Sequence, residues 1–141
     1  MIVSKVTYTG SLHTKATHLK SNSDIETDAP VDNNGKGEAF SPTDLMATSL
    51  ASCMLTVMGI YARDEKIDIS GTVVTVDKKM GINPRRITGI GIDMKIPVRG
   101  LSESQKNQLE EKALTCPVLF SLHPEIKKEF NLEFVNPEST H

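Results

Sequence analysis

Ser41-Pro42-Thr43-Asp44-Leu45-Met46-Ala47-Thr48-Ser49-Leu50-Ala51-Ser52-Cys53 is the stretch whose reading decides the fold. Ser41 is a good N-cap. Pro42 suits the first helical position, where its missing N–H costs nothing, and Asp44 puts a negative charge near the first-turn amides. Ser41 and Asp44 together read as a capping box with Asp in place of Glu. Apolar residues then recur at Leu45, Met46, Leu50, Cys53, Met54, Val57, Met58 and Tyr61, a broad stripe of period 3.6. The spacing predicts a helix to about Glu65, roughly 24 residues and about 36 Å long. Ala47, Ser49, Ala51, Ser52 and Gly59 are small enough to let another backbone come close, so this helix reads as a buried or interface element.

Outward from it the chain alternates strand and helix. Ile2–Tyr8, Leu12–Leu19 and Ser23–Thr27 read as three short strands. The Gly- and Asn-rich run Asp28–Gly37 reads as a loop long enough to be a rim or lid. After the long helix, Ile67–Val76 and Ile87–Val98 read as strands separated by a turn at Asn83-Pro84. Ser102-Glu103-Ser104-Gln105 is a second capping box, opening a helix through Leu109, Ala113 and Leu114. Pro117 biases Cys116 away from helical angles and places it at the helix end, with one further turn expected over Val118–Leu122. Phe130–Val135 is a last strand. The pattern is α+β in a single domain spanning residues 1–141.

Composition removes several function classes. With 16 basic and 18 acidic residues the net charge is −2, which gives no electrostatic footprint for nucleic acid or an anionic membrane surface. Aromatic residues make up 4% and Trp is absent, so base-stacking platforms are not expected. No uninterrupted apolar run reaches the ~18 residues of a membrane span, and no secretory signal is read at the N-terminus. A cytoplasmic location is the expectation.

The chemistry-bearing residues are Cys53 and Cys116. Two cysteines cannot build a structural zinc site alone, and Cys116 with His123 lacks further ligands at standard spacing, so no metal is expected. A permanent disulfide is not expected in a reducing compartment. Cys53 lies about three turns into the helix, too far from its start for the dipole to activate it. Any reactivity must come from nearby cations or hydroxyls such as Ser49 and Thr56. Taken singly, both cysteines also fit as small buried hydrophobes.

Ser41–Cys53 resembles the signature helix of the osmotically inducible protein C and organic hydroperoxide resistance family. Thr115-Cys116-Pro117-Val118, followed by Leu122-His123-Pro124, resembles that family's second cysteine motif, and the element order matches over nearly the whole chain. The resemblance implies an OsmC-like α+β fold with two antiparallel sheet regions around a long central helix. It implies an intertwined homodimer with two equivalent active sites at the subunit interface. It implies a thiol peroxidase that reduces organic hydroperoxides in oxidative-stress defence, without a cofactor. Cys53 would be the peroxidatic thiol, Cys116 would resolve its sulfenic acid as a disulfide, and an external dithiol would reduce that bond. Asp44 would be the acid of the active site.

The sequence departs from the family pattern in two places. The acid stands one residue later after Pro42 and is Asp44 rather than Glu. No arginine precedes Cys53, where the family uses one to activate the sulfur; His13, Lys15, His18 and Lys20 are candidate substitutes, and none forks onto a carboxylate as Arg does. These departures keep a second function open: the same dimer holding a small apolar ligand near Cys53 without turnover.

Overall fold

In the computed structural model, described over residues 1–137, the chain forms two compact units, one over Met1–Met46 and one from Ala47 on. The first is an antiparallel meander of β1 (Ser4–Gly10), β2 (His13–His18) and β3 (Asp24–Asp28), in that spatial order. The loop after β3 is tied back to its own unit. Asp28 N donates to Phe40 O at 3.0 Å and Ala29 N to Leu12 O at 3.1 Å. Gly35 packs so tightly there that a Cβ would stand 1.7 Å from Ala29 O, so only glycine fits.

The helix α1 (Pro42–Asp64) starts in the first unit and runs on through the second. Its capping box is as the sequence predicts, with Asp substituting for Glu. Asp44 N donates to Ser41 Oγ, and Ser41 N donates back to Asp44 Oδ2, both at 3.0 Å. The buried stripe is Ala47, Leu50, Ala51, Met54, Met58 and Ala62. By length and composition alone α1 is apolar enough to cross a membrane, although no single run of it is uninterrupted. Here that apolar face is part of a core.

The second unit adds β4 (Val73–Gly81), β5 (Arg86–Pro97), α2 (Glu103–Ala113), α3 (Pro117–Ser121) and β6 (Lys127–Val135). The sheet order is β4-β5-β6. Along β5 the inward residues Ile90, Ile92, Met94 and Ile96 are buried and join the α1 stripe, Leu109, Ala113, Cys116, Leu122 and Ile126 in one cluster. From Ile90 on, the period-2 alternation of β5 carries through from sequence to core; before it the inward face slips by one residue, Gly89 and Ile90 both being buried, close to where the β4–β5 register shifts.

Three expectations are corrected. The strand predicted over Ile67–Val76 begins only at Val73, because Asp68 Oδ1 caps Ser70 N at 2.9 Å and Thr72 N closes a turn onto Ile69 O, with Gly71 at φ +88°. The second sheet is not purely antiparallel, since β6 pairs parallel to β5. Cys116 does not sit at the end of α2: that helix stops at Ala113, and Cys116 is the buried N-cap of α3.

Ser41→Ala removes one half of the α1 capping box and is expected to lower stability by about 1 kcal/mol. The check is a urea titration, in which the variant's midpoint should fall with an unchanged slope; coincident curves would mean that the cap is dispensable.

Candidate active site

The two cysteines, 63 positions apart in sequence, meet in the second unit. Cys53 stands on α1 at the margin of the buried stripe, one position before Met54 and four before Val57, and is half-buried. Cys116 is 0% exposed. The Cys53 thiol is close enough to share a hydrogen bond with the Cys116 sulfur. Cys116 Sγ also accepts Leu119 N at 3.4 Å, the contact that makes it the N-cap of α3. Pro117 follows at the first helical position, so it takes no hydrogen bond away from that cap.

These surroundings treat the thiols unequally. Burial pushes the Cys116 thiol up, the Leu119 and Val118 amides pull it back, and the Cys53 sulfur adds to the upward push. Cys116 therefore stays a protonated thiol at neutral pH, able to donate S–H toward Cys53 and poorly suited to start nucleophilic chemistry. Of the two residues Cys53 is the half-buried one and Cys116 the fully buried one.

Asp44 stays at the helix start, nine residues and about two and a half turns before Cys53, with its carboxylate engaged in the cap. Of the four candidate cations His13, Lys15, His18 and Lys20, three have partners within the first unit. His13 Nδ1 lies 2.5 Å from Asp28 Oδ1 and Nε2 lies 3.2 Å from Glu26 Oε1. Lys15 pairs with Asp24 at 3.5 Å, and His18 Nδ1 meets Ser21 Oγ at 2.6 Å. Lys20 is exposed.

Two features escape the sequence reading. The Cys116–Leu119 cap is one; its signal was Pro117 followed by an apolar run, which reads as a helix start as readily as a helix stop. The other is the His13–Asp28 pair, which depends on the β2–β3 register.

The model of the OsmC-like protein family matches residues 35–131. The chain belongs to the OsmC-like family. This OsmC-like protein is 53% identical to a Psychrobacter arcticus chain named as an osmotic stress induced and detoxification response protein. That structure superposes with a TM-score of 0.89 over 94% of this chain and 96% of the other. A Legionella pneumophila organic hydroperoxide resistance protein OsmC is 17% identical, with a TM-score of 0.68 over 94% and 98% of the two chains. A Vibrio cholerae OsmC-like protein of unknown function is 15% identical, with a TM-score of 0.74 over 94% and 97%. At such identity the last two share the fold alone. No curated protein matches the chain.

The His13 cluster makes a pH prediction. The hydrogen bond to Asp28, and next that to Glu26, raise His13 above 6.5, while the His13 contact holds Asp28 below the usual carboxylate range. A raised histidine stabilises the fold fully below 6.5 and loses that contribution as pH rises through its folded value. The stability gap between the parent and His13→Gln is thus expected to be larger at about pH 5.5 than at about pH 9. Urea midpoints at the two pH values measure it, and a gap that grows with pH would contradict the assignment.

Proposed function

We propose that this OsmC-like protein is a thiol peroxidase for organic hydroperoxides, serving oxidative-stress defence. The observation that supports it most is the pairing of an accessible Cys53 with a buried Cys116 within hydrogen-bond reach. Cys53 attacks the O–O bond as a thiolate, releasing the alcohol and becoming a sulfenic acid. Cys116 then displaces the sulfenic oxygen as water, forming a Cys53–Cys116 disulfide. An external dithiol restores both thiols, and no cofactor enters. The short path between the sulfurs protects the sulfenic acid from further oxidation. Asp44 acts as a positioning residue through its charge.

We also read the working unit as a homodimer. Val6 and Ile25 sit across from Ala16 on one face of the first sheet, with Tyr8 beside them. These three are 62%, 51% and 64% exposed in the single chain. Phe120 on α3 is 73% exposed. A second copy covering such surface buries more than the ~1,600 Å² of a standard interface. Static light scattering at micromolar concentration is expected to give twice the chain mass; a folded monomer would refute it.

The chemistry is tested by intact mass after one equivalent of an organic hydroperoxide. The parent should lose two hydrogens, Cys116→Ser should gain one or two oxygens on Cys53, and Cys53→Ser should neither change nor consume peroxide. Asp44→Asn keeps a cap acceptor but removes the charge, and is expected to slow turnover while lowering stability by no more than about 1 kcal/mol, the worth of a charge at a helix N-terminus. The absence of arginine before Cys53 favours a second reading, a dimer that holds a small apolar ligand near Cys53 without turnover. An unchanged parent mass would select it.

A further inference from the structure

We infer that the external dithiol attacks the disulfide at the Cys53 sulfur and that Cys116 is the thiol expelled. The inference rests on the two-cysteine cycle proposed above, and concerns which end of the oxidised pair faces the reductant.

Thiol–disulfide exchange is an in-line displacement: the attacking sulfur approaches along the S–S axis from the side opposite the leaving sulfur. At Cys116 that approach would run through the core. The residue is 0% exposed, and it clusters with Leu109 and Ala113, each also 0% exposed. At Cys53 the residue is half-open on α1. The opening that admits a hydroperoxide to Cys53 is the opening a dithiol needs.

The leaving side agrees with this direction. A departing Cys116 thiolate has an amide donor in place, Leu119 N at 3.4 Å, with the Val118 amide also acting on it. Burial opposes a charge on that sulfur, and the two amides offset part of the opposition. Once Cys53 carries the reductant it is neutral, so its own charge no longer opposes the Cys116 thiolate. Access weighs more than leaving-group quality here, because an attack that must first open the core carries the whole cost of that opening.

One thiolate of the dithiol forms a bond to Cys53 Sγ, the Cys53–Cys116 bond breaks, and Cys116 leaves with the electron pair and takes a proton. The second thiol of the reductant, deprotonated, attacks its own sulfur in the mixed disulfide and expels the Cys53 thiolate. The protein disulfide is reduced by two electrons and the dithiol is oxidised to its own disulfide.

The test uses a monothiol, which stops at the first stage. The full chain is oxidised in two ways, with an organic hydroperoxide and with diamide, which makes disulfides without peroxide chemistry. It then meets N-acetylcysteine briefly, is quenched in acid, alkylated under acidic conditions with N-ethylmaleimide and digested. Peptide mass spectrometry is expected to find the adduct on Cys53 and the alkyl group on Cys116. The adduct on Cys116, or an equal split, overturns the inference, as does failure of diamide to form the disulfide. A disulfide formed by diamide but not by hydroperoxide sinks the peroxidase reading, while the adduct site still decides this one. As a second measure, folded Cys116→Ser should react with an aromatic disulfide roughly tenfold or more faster than folded Cys53→Ser, with the difference gone in denaturant; equal folded rates overturn the inference.

Discussion

The stripe Ala47, Leu50, Ala51, Met54, Met58 and Ala62 has to be kept from water, and the inner face of β5 is what shares its core. Each large side chain of that stripe contributes about 1.5–3 kcal/mol by leaving water, so the rotation of α1 about its axis is not negotiable. That rotation fixes Cys53. It lies beside the stripe rather than in it, with part of its surface packed on the core and part open. A one-position change in the pattern would bury the sulfur or turn it wholly to solvent.

Cys116 is fixed by a different force. The end of α2 and the start of α3 leave a short non-helical step, and the Leu119 amide needs an acceptor there. The sulfur supplies it. Serine, threonine or asparagine would be stronger caps. A thiol is a weaker acceptor but is compatible with the apolar cluster in which Cys116 is buried. The same atom therefore ends a helix start, fills a core position and lies beside Cys53. The inequality of the two sulfurs follows from these placements.

Much of this was legible in the sequence. The α1 cap and its length are local, written in Ser41, Pro42, Asp44 and a 3.6-period stripe. The strand β5 shows in isoleucine at every second or third place. What failed was non-local or competitive. The start of β4 was misplaced because Ile67 and Ile69 look like strand residues, while the Asp68 and Gly71 turn overrides their preference. The tail of β4 was missed because Lys78 and Lys79 break the apolar pattern on an edge strand, where charge is tolerated. The parallel pairing of β6 depends on where the chain returns after two helices, which no local signal encodes. The nearness of Cys53 and Cys116 came from the family resemblance, since a separation of 63 positions carries no distance. The partners of His13 depended on hairpin register.

The parallel pairing of β5 with β6 has a consequence for how the chain is made. Parallel neighbours need a crossover, and here the crossover, residues 98–126, holds α2, α3 and Cys116. Cys53 and the whole of α1 leave the ribosome before this crossover is made, so the segment that carries Cys116 reaches a helix that has already been synthesised. The order of the elements along the chain therefore makes Cys53 wait for Cys116, and never the reverse.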